Sequence, residues 1–229
     1  MKKISFKGIK FYSGNYHQIK NIFDSGGVLV APAASALANI ESDNLYFSSL
    51  KKSNIAILDS GFFCLLLRIC KFKKVRKLSG FLFLKSFLDE YKNKDKILFI
   101  DPSKKSNKIN NQYLRSKKIF NFKSYIAPKY KKNITDPILL KLAKKFKPKY
   151  IIMNIGGGIQ EPLAIYLRDK LKSKISIMCT GAAIAFMTGE QAPINKFIDK
   201  IYLGWLMRIL WKPKMYQGRI LKSFKIIKF

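Results

Sequence analysis

The sequence predicts an α/β domain on a mostly parallel sheet, and three observations carry that expectation. Short apolar, β-branched runs recur along the chain, each run ends in a turn signal, and a helical pattern follows each turn. The 229 residues suffice for one domain with a sizeable core and a small appendage. Residues 1–193 read as that core and residues 194–229 as a basic, helical C-terminal appendage.

The elements follow in order. The run "GGVLVAPA" (26–33) precedes a helix-like segment over 34–52. "SNIAILDSG" (53–61) turns at Asp59-Ser60-Gly61 into a second helical segment, 61–71, and "KVRKLS" (74–79) adds an expected short strand. A helical pattern over 81–93 leads to "DKILFIDPS" (95–103), then to a helix over 106–118. "KSYIAPKY" (123–130) precedes a helix over 136–146, and "KYIIMNIGG" (149–157) precedes one over 160–172. "KISIMCTG" (174–181) is the last strand, and 194–211 the last helical pattern. No internal repeat or low-complexity linker interrupts the series.

Forty-five basic residues against thirteen acidic ones give a net charge of +32. Such a charge invites nucleic acid, an anionic membrane surface or phosphorylated substrates. Only six of the basic residues are arginine, so lysine filling a solvated surface accounts for the charge equally well. No RNP, helix-turn-helix or zinc pattern supports a nucleic-acid module. Cys64, Cys70 and Cys179 lie in apolar runs without a C-x-x-C, and His17 is the single histidine, so no metal site is expected. No apolar core follows the basic N-terminus as a signal peptide requires, and no run reaches about 18 apolar residues. We expect a chain that is soluble or peripheral to a membrane. After Asp199 the acidic residues stop, while lysines and arginines alternate with Tyr202, Trp205, Trp211, Tyr216 and Phe224. That pattern suits an interfacial membrane helix, and equally a helix docked on the sheet with a lysine face outward.

With one histidine, Ser-His-Asp and Cys-His catalysis find little support, and a general base is expected to be a carboxylate. Ligands of open α/β sheets bind beyond the carboxyl ends of strands. Asp59, Asp101, Glu161 and Glu190 fall there. Asp59 leaves an apolar strand into a tight turn, where it can take a proton from an attacking hydroxyl or cap the next helix. Asp101 precedes a proline and reads as turn chemistry. Gly156, Gly157 and Gly158 allow a ligand close to the backbone at a helix start, with Gln160 and Glu161 able to meet hydroxyls. A tight connection with an acidic first turn is the alternative. Thr180 and Gly181 open a second small-residue turn.

Taken in order, these pieces resemble the WecG/TagA/CpsF family of bacterial glycosyltransferases (glycosyltransferase family 26). "IIMNIGGGIQE" resembles the family's strand and Gly-rich turn ending in Gln-Glu, "TGAAIAFMTGEQAP" its G-x-x-F-x-F-x-x-G…A-P segment, and "LGWLMRILWKP" its [EG]-W-x-x-R-x-x-x-x-P signature. "AILDSG", "RKLSG" and "YIAPKY" match upstream elements, so the resemblance runs from about residue 26 to 220. It implies a Rossmann-like core and an inverting transfer of an N-acetylmannosamine-type or related hexose. The donor would be a UDP-sugar, the acceptor a polyprenyl-diphosphate-linked sugar at the cytoplasmic membrane face, and no tightly bound metal is needed. Carried over, Asp59 is the base, and Gly156–Gly158, Gln160, Glu161, Thr180 and Gly181 hold the donor. Arg208 meets diphosphate, and we group Arg76, Lys212 and Arg219 with it. A non-catalytic binding protein of the same fold is the alternative reading, and a homo-oligomer is compatible with either. The chain departs from the family pattern at Ala31, Ala33, Gly158, Ala185 and Gly204, positions that bear on which sugar is carried.

Overall fold

The computed structural model describes residues 1–38, 40–70, 74–131 and 133–191, together with Gly218, Ser223 and Ile226. The chain starts with a hairpin, β1 (Lys2–Phe6) and β2 (Ile9–Ser13), and then α1 (Tyr16–Asp24). β3 (Gly27–Val30) leads through α2 (Ala34–Ala38), a 3-10 turn (Ile40–Ser42) and α3 (Asn44–Lys52) to β4 (Ile55–Ile57). Then come α4 (Gly61–Ile69), α5 (Gly80–Glu90), β5 (Ile97–Asp101), α6 (Lys104–Ser116) and β6 (Phe122–Ile126). α7 (Pro137–Phe146), β7 (Tyr150–Met153), α8 (Gln160–Leu171), β8 (Ser176–Cys179) and α9 (Ala183–Met187) complete the described elements. The eight strands form one sheet in the order β1-β2-β4-β3-β8-β7-β5-β6, and only β1–β2 is antiparallel.

Six of the seven strands expected from the sequence are present; five of them, β3, β4, β5, β7 and β8, are central parallel strands, buried on both faces, and read as unbroken apolar runs. Period-2 alternation then sorts their side chains. Val28, Val30, Ala56, Ile151, Met153, Ile177 and Cys179 pack with α2, α3, α4, α7 and α8 on one face. Leu29, Ile55, Ile57, Phe99, Ile152 and Met178 pack with α1, α5, α6 and α9 on the other. Helix starts are set by side chains that accept the open N–H groups: Asn15, Asp43, Ser60, Ser79, Ser103 and Asp136. Gly27 has φ +110°, and a Cβ there would lie 2.4 Å from Asn54 Cγ. Asn54 needs that room to accept the Val28 N–H at 2.9 Å.

Three expectations need correction. The N-terminal hairpin was not foreseen; its turn, Lys7-Gly8 at φ 49° and 78°, joins two short strands whose apolar residues alternate. The helix expected over 34–52 is broken in two, because Asp43 caps α3 and stops the upstream segment. Residues 74–79 form no strand: β4 already has β2 and β3 on its two sides, leaving no open edge. The segment bonds instead to two different strand ends, Arg76 N–H to Ser13 Oγ and Leu78 N–H to Leu58 O. The expected C-terminal helix (194–211) and the rest of the appendage lie outside the described residues, apart from exposed Gly218, buried Ser223 and Ile226, which joins the first core.

Candidate active site

The carboxyl ends of β4, β3, β8, β7 and β5 form one continuous edge of the sheet. The pairs Val30↔Cys179, Met153↔Cys179 and Ile100↔Met153 bring the next residues into one row: Ala31, Thr180, Asn154 and Asp101. Paired positions of parallel strands share a face, here that of α5, α6 and α9.

Asp59 lies two residues past β4 and is half-buried. Capping of α4 falls to Ser60, whose Oγ accepts the Phe63 N–H, so the capping alternative for Asp59 is answered by its neighbour. Asp59 Oδ1 instead accepts the Gly80 N–H at 2.8 Å. Its carboxylate therefore meets the N-terminus of another helix, α5, where the helix dipole favours negative charge. Gly80 fits because it has no side chain: a Cβ would come within 3.2 Å of both Ala31 Cβ and Thr180 Cγ2. Asp59, α5, Ala31 and Thr180 are thus gathered at one point.

The two glycine turns are tied together by the pair the sequence assigned to the donor. Glu161 is 1% exposed and Gln160 4%. Glu161 Oε2 accepts the Gly158 N–H at 2.8 Å and its Oε1 accepts from Gln160 Nε2 at 2.9 Å. Gln160 Oε1 accepts the Gly181 N–H at 2.9 Å. Both side chains are spent inside this clasp, and so are two of the backbone N–H groups that a diphosphate would have used. Burial pushes the Glu161 carboxyl up to about 7, against the lowering by its hydrogen bonds, with Asp43 adding to the rise. Burial, with Glu161 adding, also raises the Tyr46 phenol and the Cys179 thiol, which makes Cys179 inert as a nucleophile. Asp43 caps α3, and its Oδ2 would lie 4.0 Å from a Cβ on Gly158. This turn is therefore acidic, better suited to hydroxyls than to phosphate.

Asp101 is fully buried and more than a turn residue. Asn110 and Asn154 donate to its Oδ1 at 2.7 and 2.8 Å, and Asn107 donates to its Oδ2 at 2.9 Å. Glu190 accepts a long bond from Ser106 Oγ, 3.4 Å. Arg76 is exposed at the carboxyl end of β2, the strand beside β4, in a cleft of about 330 Å³ shared with Lys2, Asn15 and Gln18. The remaining cations expected at the diphosphate, Arg208, Lys212 and Arg219, lie outside the described residues. His17 is exposed on α1, 3.8 Å from Glu90. No group of three or more His, Cys, Asp or Glu fit to hold a metal occurs among the described residues.

Asp43 and Asn154 were missed at the sequence level. Asp43 carries the helix-start signal of an acidic residue before an apolar run, whereas Asn154 is marked only by contacts distant in sequence.

A sequence model described as "Glycosyl transferase WecG/TagA/CpsF family" matches residues 4–228. No curated protein matches the chain.

Proposed function

Because the chain belongs to the WecG/TagA/CpsF family of glycosyltransferases of cell-surface polysaccharide synthesis, we propose that it is an inverting transferase that uses a UDP-sugar as donor and a polyprenyl-diphosphate-linked sugar as acceptor. The transferred unit is a hexose or N-acetylhexosamine of the N-acetylmannosamine type. The observation that supports this reading best is Asp59: half-exposed at a strand end, relieved of capping by Ser60, and aimed by the Gly80 N–H. In the proposed step Asp59 takes the proton of an acceptor hydroxyl. The oxygen attacks the anomeric carbon from the face opposite the leaving group, and the bond from that carbon to the β-phosphate oxygen breaks. UDP departs with the electron pair.

Charge on the leaving diphosphate is balanced, in this reading, by the α5 N-terminus and by the arginines and lysines of the appendage, without a tightly bound metal. The same appendage, with its lysines and tryptophans, would rest on anionic lipid at the inner face of the cell membrane. No helix among the described residues is long and apolar enough to cross a membrane.

Product formation followed by mass spectrometry tests the reading. The protein is mixed with a panel of UDP-hexoses and UDP-N-acetylhexosamines and a short-chain polyprenyl-diphosphate-sugar, beside Asp59→Asn. A disaccharide lipid that disappears in the variant is expected. Product that persists in the variant would remove Asp59 from the role of base, and absence of product with every UDP-sugar would overturn the donor class.

A further inference from the structure

Two polar atoms at the carboxyl edge have no task in the reaction just described. Asn154 and Thr180 follow β7 and β8 at paired positions, which places them on neighbouring strands, about 4.8 Å apart. Asn154 is 4% exposed, and its Oδ1 is buried without a hydrogen-bond partner among the described residues; Thr180 Oγ1 is buried and unpartnered among them in the same way. The Asn154 amide cannot turn over. Its Nδ2 donates to Asp101 Oδ1 at 2.8 Å, and a carboxylate can only accept. Asn107 and Asn110 hold Asp101 from α6. Nitrogen therefore faces Asp101 and oxygen faces away, giving a fixed acceptor beside a hydroxyl that can donate.

A phosphate does not suit this spot, since an acceptor oxygen backed by a carboxylate repels it. The guest must donate to Asn154, and the Thr180 hydroxyl can donate to an acceptor beside that donor. Position narrows the choice further. Asn154 lies three strands from the strand of Asp59, about 14 Å at ordinary strand spacing, with the N-terminus of α5 between. If the reacting carbon sits at Asp59 and the diphosphate near α5, the base of the nucleotide is what reaches Asn154. The pairing edge of uracil carries an N3–H donor flanked by carbonyl acceptors.

We infer that Asn154 and Thr180 read the imide edge of uracil. Asn154 Oδ1 accepts from N3–H, Thr180 donates to a flanking carbonyl, and Asp101 is the positioning residue that fixes the Asn154 amide. This rests on the UDP-sugar reading above. Cytosine, with an acceptor at N3, meets the Asn154 oxygen with like polarity and is disfavoured.

Titration calorimetry of the full chain with UDP, N3-methyl-UDP and CDP tests the inference. The wild type is expected to bind UDP at least tenfold more tightly than either analogue. Asn154→Leu should bind UDP and N3-methyl-UDP alike, and Thr180→Val should weaken UDP several-fold. Asp101→Asn, which lets the Asn154 amide turn, should narrow the ratio of UDP to CDP affinity. Equal binding of UDP and N3-methyl-UDP by the wild type overturns the inference while leaving a UDP donor intact. Selectivity that survives in Asn154→Leu overturns it as well. Failure of the wild type to bind any uridine nucleotide removes the donor reading and this inference together. The wild-type comparison stands even if a variant does not fold.

Discussion

Asp59 and Glu161 are both carboxylates near strand ends, and both meet a helix N-terminus, yet they do so in opposite ways. Asp59 reaches across to α5, 21 residues further along the chain, and stays half-exposed. Glu161 sits in the first turn of its own helix, buried, with its oxygens on Gly158 and Gln160. One arrangement aims a carboxylate with a backbone N–H at an accessible place. The other consumes the carboxylate in holding the backbone. A strand-end acid is a candidate for chemistry only when something else performs the local structural work, as Ser60 does beside Asp59.

The widest separation between the two should come from neutralising each. Asp59→Asn keeps an oxygen for the Gly80 N–H, so the fold survives, while transferase turnover falls by about 10²–10⁴, the usual worth of a general base. A melting temperature near wild type with turnover unchanged would erase the distinction. Glu161→Gln should do the reverse, with its main cost in stability. The clasp needs acceptors facing both Gly158 and Gln160, and an amide supplies only one, for a loss of about 1–3 kcal/mol in denaturant unfolding.

That loss should depend on pH in a defined direction. The Glu161 carboxyl is raised from 4.5 to about 7 in the folded chain. The folded state therefore holds the proton more tightly, so this contribution is fully present below pH 4.5 and is lost as pH rises through 7. The advantage of wild type over Glu161→Gln should shrink by up to about 3 kcal/mol across that window. An unchanged difference between pH 4.5 and 8 would place the carboxyl in an ordinary environment.

Two glycine substitutions sharpen the contrast at smaller scale. Gly80→Ala presses a methyl against Ala31 and Thr180 and should shift the N-terminus of α5 that aims Asp59. We expect kcat/KM to fall by about tenfold, with stability changed by less than about 1 kcal/mol because alanine favours the helix. Gly156→Ala meets nothing within 4 Å among the described residues and should alter unfolding by no more than about 0.5 kcal/mol. A large effect there would mean that the Gly156 backbone itself contacts substrate.

Much of this architecture is written locally. Runs such as "ILFID" and "YIIM" announce buried parallel strands by composition alone, and Asp59 and the glycine turns announce themselves by position after such runs. Direction of side chains is not written locally. Gln160 and Glu161 look ready to meet a ligand until the helix start is seen to lack any other cap and to be closed by them. Asn154 acquires meaning only from Asp101, 53 residues away, and the hairpin strands "KKISF" and "IKFYS" alternate polar with apolar residues and so lack the unbroken apolar run that marks the buried strands.

The order of strands also governs how the chain must assemble. β3, in the middle of the sheet, pairs with β4 nearby in sequence but on its other side with β8, Gly27 against Ser176. The same late strand joins β7 to β3. During synthesis from the N-terminus, the two halves β1-β2-β4-β3 and β7-β5-β6 are available first, each with one unpaired central edge. Their union waits for residues 176–179. Long-range parallel pairing of this kind is slow and leaves sticky edges exposed. Chains released before Ser176 should therefore accumulate as aggregates or be degraded rather than persist as a working fragment.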